Sequence, residues 1–149
     1  MAYRHLMAGC VLCVLVHMIP FRLTTQPGVP IYEQAVYAAT RAIVMGQMRV
    51  GDPFPSVRVL SRELKINPNT AHKVIAQLMS DGLLESHPGI GTVVSQRPGS
   101  SSSERAALLN RRIEELVVEA KRLSIDKDEV MAAIEKHWRR LSSSEEVYK

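Results

Sequence analysis

Residues 55–94 read PSVRVLSRELKINPNTAHKVIAQLMSDGLLESHPGIGTVV, and the order of their start and stop signals decides the fold. Ser56 suits an N-cap, because its hydroxyl can accept from a free first-turn amide, and Val57, Leu60 and Leu64 behind it form a narrow apolar stripe. Lys65-Ile66 breaks that stripe. Asn67 then caps a new helix whose first position is Pro68, where a missing amide proton costs nothing. Ala71, Val74, Ile75 and Leu78 fall on one face of this helix, which leaves Asn69, Thr70, His72, Lys73 and Gln77 off the core. Asp81-Gly82 stops it. Leu83–Glu85 and Thr92–Val94 read as hairpin strands around Pro88-Gly89-Ile90-Gly91, a turn able to hold unusual dihedrals close to a partner's backbone. Two short helices joined by a tight turn and followed by a two-stranded wing form a scaffold for placing one helix in a DNA major groove.

Outward from this stretch, Pro30 stands where a helix can begin, and Ile31, Ala35, Ala38, Ala42 and Met45 recur at spacings of three and four. A helix is predicted from Ile31 to Met45, stopping at Gly46. Met48-Arg49-Val50 ahead of Gly51-Asp52-Pro53 reads as a very short strand that joins the hairpin as an edge. Downstream, Gln96 to Ser103 is QRPGSSSS, a flexible linker by composition. Beyond it Leu109, Ile113, Leu116, Ala120 and Leu123 space out as a helix seam, and Asp126-x-x-Glu129 restarts the chain as a helix carrying Val130, Ile134, Trp138 and Leu141. Two helices this short cannot cover both apolar stripes with each other, so a second copy of the chain is the simplest cover.

The expected architecture is therefore mainly α with a small β wing: a winged helix-turn-helix domain plus a C-terminal helical dimerisation hairpin. The boundaries are an N-terminal extension at 1–27, the winged domain at 28–95, the linker at 96–103, the helical tail at 104–141 and a C-terminal tail at 142–149.

Composition permits this reading without demanding it. Among 149 residues, 46% are apolar, enough for a core, and 19 Lys+Arg against 15 Asp+Glu give +4, which suits a polyanionic partner. The uncharged run Leu6–Val16 would span only about 16 Å as a helix, roughly half a bilayer core, so no membrane anchor is expected. No small-x-small cleavage site follows it before His17, Pro20 and Arg22, and Met7-Ala8-Gly9-Cys10 has no apolar segment ahead of it as a lipoprotein box would. Residues before Met18 are expected to lie outside the domain, with Met18 as the alternative start. Cys10 and Cys13 make the only C-x-x-C and have no second pair to complete a zinc site. His5, His17, His72, His87 and His137 are dispersed, and none stands at ligand spacing from another His or Cys. No metal, no cofactor and no catalytic arrangement is expected, so the chain is not read as an enzyme.

PIYEQ at 30–34, the run GDPFPSVRVLSRELKINPNTAHKVIAQLMSDGLLESHPGIGTVV at 51–94 and the short two-helix tail together resemble the GntR family of transcriptional regulators, and the brief tail resembles its YtrA subfamily. P-S-x-R-x-L, N-P-N-T and G-x-G-T-V-V occur at the family's separations, and the likeness covers about residues 28–141. It implies a winged helix-turn-helix domain that binds an operator as a homodimer, usually as a repressor. It further implies that Arg58 approaches DNA, that Asn67, Pro68, Asn69, Thr70 and His72 open the recognition helix, and that Pro88 and Gly89 form a wing tip entering the minor groove. Lys65 departs from the family's frequent Gly, and Ser86-His87-Pro88 stands where relatives often carry basic residues.

The chemistry fits those roles. Arg58 offers a planar fork of donors to phosphate or to guanine O6 and N7. Asn69 and Thr70 lie in a first turn whose free amides and dipole favour a phosphate, and Lys73 follows as a further phosphate contact. Asn67 serves equally well as a cap or a contact, and His72 as a base reader or a solvated side chain. About six neutralised phosphates per dimer would give log K a slope near −5 against log salt. The sequence thus predicts a cytoplasmic, homodimeric DNA-binding regulator with a double-stranded operator as partner and no membrane partner. The dimer contacts expected are Leu109, Ile113, Leu116, Ala120, Leu123, Val130, Ile134 and Trp138. Two other classes stay open: a winged-helix module that docks a protein instead of DNA, and a ligand-gated sensor. About forty tail residues are too few to enclose a generous pocket, so a small-molecule effector is expected at the dimer interface or through another protein.

Overall fold

A computed structural model describes residues 19–24, 26–96 and 101–142. The Cys10/Cys13 pair, the Leu6–Val16 run, the linker residues 97–100 and the last residues, 143–149, lie outside them. The chain divides after Gln96 into two compact units.

In the first unit, α1 spans Ile31–Val44, α2 Val57–Leu64 and α3 Pro68–Ser80, followed by strands β1, Leu84–His87, and β2, Gly91–Val94. Each start follows from its cap. Ser56 Oγ accepts from Val59 N at 3.4 Å, and Asn67 Oδ1 accepts from Asn69 N at 2.8 Å with Pro68 at the first helical position. α3 is the hub: it packs on both α1 and α2, and β1 packs on it in turn. Leu60, Leu78, Val74 and Val94 are fully enclosed around it, each contributing roughly 1.5–3 kcal/mol relative to exposure. β1 and β2 pair antiparallel with Leu84 opposite Val94 and His87 opposite Gly91. Gly89 at φ +79° and Gly91 at φ +99° give the connecting turn its left-handed backbone. Behind the hairpin, Ser95 Oγ donates to the Gly82 carbonyl where α3 has ended.

Two expectations are corrected. Met48-Arg49-Val50 is not a strand: Asp52 Oδ2 accepts from Arg49 N at 2.7 Å and Asp52 N donates to Arg49 O at 3.0 Å, which folds these residues into a turn. The edge contact comes a few residues later, where Gly51 N donates to Val94 O, Val94 N to Asp52 O and Phe54 N to Thr92 O, with Pro53 bridging Val93. The first unit also begins before residue 28. Phe21 is 6% exposed and its ring stacks on Phe54 at 6.2 Å, with Ile19 and Leu23 packed beside it.

Gln34 explains how that early segment is fastened. It is buried on α1, its Oε1 accepts from Gln26 N at 3.1 Å, and its Nε2 donates to Gln26 O at 3.2 Å and Val29 O at 2.7 Å. Gln34→Ala strands those backbone groups and is expected to destabilise the unit by about 2–3 kcal/mol, read as a lower urea midpoint; an unchanged midpoint would show that water replaces the amide without loss.

Lys65 ends α2 in the left-handed region at φ +54°, a geometry that glycine accommodates freely. Lys65→Gly is expected to stabilise the unit by about 0.5–1 kcal/mol, the left-handed cost less glycine's larger chain entropy. A thermal midpoint that stays put or drops would contradict this.

In the second unit, Ser101 and Glu104 form a reciprocal capping box that opens α4, Ser102–Ala106. The helix thus starts inside the stretch read as linker. Hydrogen bonds from Ser101 hold the Glu104 carboxyl below its usual range. A π-helical turn, Ala107–Arg112, leads into α5, Ile113–Arg122, and Asp126 Oδ1 then accepts from Asp128 N and Glu129 N, both at 3.1 Å, to open α6, Lys127–Ser142. The wide turn puts Leu108 and Leu109 out of step with a strict helical repeat. Among the described residues no helix is long and apolar enough to cross a membrane.

Candidate nucleic-acid interface

α3 divides cleanly into a buried and a free side. Ala71, Val74, Ile75 and Leu78 are buried, while Asn67, Pro68, Asn69, His72 and Lys73 are exposed and Thr70 is half-buried. The packing that fixes the helix thus lies beneath it, and its front end faces outward. No carboxylate occurs between Asn67 and Gln77, so nothing on this face repels a phosphate.

The first turn is chemically specific. Asn67 commits its side-chain oxygen to the Asn69 amide and Ala71 N bonds to Asn67 O at 3.0 Å, while Pro68 has no amide hydrogen. Thr70 N is left as the donor that no described residue accepts, at the positive end of the helix dipole. Of the two roles open to Asn67, capping is the one its oxygen performs, with the amide nitrogen still free to donate outward.

Arg58 is exposed on α2, two residues beyond the Ser56 cap, on the helix that packs against α3. Neither it nor Lys73 forms an ion pair among the described residues. Arg62 differs: its guanidinium meets Glu63 Oε1 at 3.0 Å, which offsets its charge. Gln77 also departs from the expectation of a free side chain. Its Oε1 accepts from Tyr32 of α1 at 3.0 Å and its Nε2 donates to Asp81 at 2.8 Å, so it braces α3 against α1.

The wing reaches out through Pro88, Gly89 and Ile90, all exposed, with Ile90 at 69%. Below the tip, His87 Nε2 lies 3.0 Å from Glu85 Oε1. The tip therefore presents backbone and apolar surface, and a carboxylate sits beside its histidine. Ile90 carries no sequence signal for this exposure beyond its place in the turn.

On the second unit, Leu109, Ile113, Leu116, Leu123, Ile134 and Trp138 are exposed in the single chain, Trp138 at 72%. Two residues of the expected contact set are not exposed: Ala120 is buried, its carbonyl accepting from Ile125 N at 2.9 Å across the turn between α5 and α6, and Val130 is half-buried. Leu108, Val117, Val118 and Met131 are exposed as well and were not anticipated.

Residues 31–94 match the model of the family described as bacterial regulatory proteins, gntR family. The HTH-type transcriptional repressor YtrA of Bacillus subtilis (strain 168) is 32% identical over 92 residues, which are 61% of this chain and 71% of that protein. Among solved structures, a GntR family transcriptional regulator from Listeria monocytogenes is similar at a TM-score of 0.57 and 26% identity, over 75% of this chain and 98% of that one. A transcriptional antiterminator from Listeria monocytogenes EGD-e shares the fold at a TM-score of 0.72 and 23% identity, over 81% of this chain and 91% of the other.

Proposed function

This chain belongs to the GntR family of bacterial regulatory proteins and is a DNA-binding transcriptional regulator, and from that premise we propose that it is a repressor that binds a pseudo-palindromic operator as a homodimer. The observation that carries the proposal is the front of α3: a capped, rigidly backed helix start whose exposed side chains are amide, imidazole and ammonium groups without a carboxylate. In this reading Asn69, Thr70 and Lys73 meet phosphates and base edges in the major groove, His72 reads a base, and Arg58 contacts the adjoining backbone or a guanine. Pro68 closes the approach of the helix start, and the Pro88-Gly89 tip follows the minor groove.

Support for the dimer is the apolar surface of the tail. Leu109, Ile113, Leu116, Leu123, Ile134 and Trp138 are too many large exposed residues for so small a unit unless a second copy covers them. An isologous pair presents two copies of α3, with half-sites about 34–36 Å apart or a multiple of that. Acting on chromosomal DNA, the protein works in the cytoplasm.

A gel shift of the purified chain against the DNA upstream of its own gene tests the proposal. The expected result is saturable retardation at about 0.15 M salt, resisted by random competitor, with a two-fold symmetric footprint. Retardation that random DNA competes away equally would sink it.

A further inference from the structure

α1 and the chain segment leading into it line an open cleft of about 630 Å³, within the range of small-molecule sites, about 300–1,000 Å³. Phe21, Arg22, Glu33, Tyr37, Arg41 and Met45 are among its lining residues. We infer that this cleft binds a small organic anion, a carboxylate joined to an aromatic or aliphatic body.

Charge sets the first half of that chemistry. Arg22 and Arg41 line the cleft against the single carboxylate of Glu33, and neither guanidinium is in any ion pair among the described residues. A planar fork of donors without a partner matches a carboxylate's two oxygens, and a neutral ligand would leave it unused. Apolar surface sets the second half. Tyr37 is 65% exposed on α1, Phe21 stands in the wall, and Met45 adds a polarisable side chain that adapts to irregular shapes.

The backbone of the walls is held in place: Gln34 ties Gln26 and Val29 to α1, and the Phe21–Phe54 stack fixes the entering segment, so the ordering cost of binding falls on the Arg22, Tyr37 and Arg41 side chains. The site lies on the helix that braces α3 through Tyr32 and Gln77. Its lining belongs to the first unit, whereas the sequence points to the dimer interface or another protein for an effector. It does not depend on the DNA-binding reading.

The test is calorimetric titration of the full chain with 4-phenylbutyrate, using 4-phenylbutanol as the uncharged control. Saturable binding of the carboxylate is expected, weakened about tenfold or more for the alcohol and for the Arg22→Gln/Arg41→Gln variant. Ala38→Trp, which fills the cleft from α1, should abolish it. The double Gln variant keeps much of the aliphatic stem of both side chains and a polar end without the charge, and should melt and shift DNA like the parent, which separates the fate of the cleft from that of the DNA interface. The inference is overturned if the parent shows no saturable binding up to about 10 mM, if the alcohol binds equally well, or if the double Gln variant binds undiminished.

Discussion

Arg58→Ala combined with Lys73→Ala is expected to lower operator affinity about a thousandfold at 0.15 M salt, while the thermal midpoint stays within a degree or so of the parent. Each dimer loses four contacts, and at about 1 kcal/mol apiece the sum is about 4 kcal/mol. Both side chains are exposed and support no packing, so their loss leaves the core around Leu60, Leu78 and Val74 untouched. Removing two Lys73 phosphate contacts should also flatten the log K against log salt slope by roughly 2 units. The two residues separate in single variants. Lys73→Ala should weaken operator and random DNA alike, whereas Arg58→Ala weakens the operator more if its fork reads guanine. A folded double variant with undiminished affinity would remove both residues from the interface.

The second large effect concerns the tail. Ile113→Asp with Leu116→Asp places charges in the exposed apolar strip that runs from Leu109 to Leu123, where a partner copy would have to bury them. Desolvating unpaired carboxylates at four positions per dimer costs several kcal/mol, so sedimentation should show a monomer at micromolar concentration. Operator affinity should fall with it, by about a hundredfold to ten-thousandfold, because the second half-site is no longer bound at high effective concentration. Both residues lie on the solvent side of their own unit, so the helix content should persist. A variant that still sediments as a dimer would move the interface elsewhere on the chain.

Local signals carried most of what the sequence disclosed. Ser56, Asn67-Pro68 and Gly82 mark α2 and α3 because caps and stops are written in the residues that make them, and the period of Ala71, Val74, Ile75 and Leu78 fixes which side of α3 is free. Asp126 opened α6 for the same reason. What escaped depends on partners distant in sequence. Phe21 is an isolated aromatic until Phe54 is brought beside it, and Gln34 is an ordinary polar residue until the turn at Gln26 folds over it. The cleft between them could not be foreseen for that reason. Met48-Arg49-Val50 has strand composition, yet the Asp52 carboxylate captures the Arg49 amide and turns the chain first. The π-helical turn at Ala107–Arg112 leaves the apolar spacing of Leu109 and Ile113 looking regular, so periodicity alone does not reveal it.

Methylation protection on the bound operator tests most directly whether the front of α3 enters the major groove. Guanine N7 atoms should be shielded in two blocks about 10–10.5 base pairs apart or a multiple of that, and Asn69→Ala with His72→Ala should expose them again. Guanines left reactive throughout a fully retarded complex, or a shielding pattern indifferent to Asn69 and His72, would mean that another surface of the protein holds the DNA.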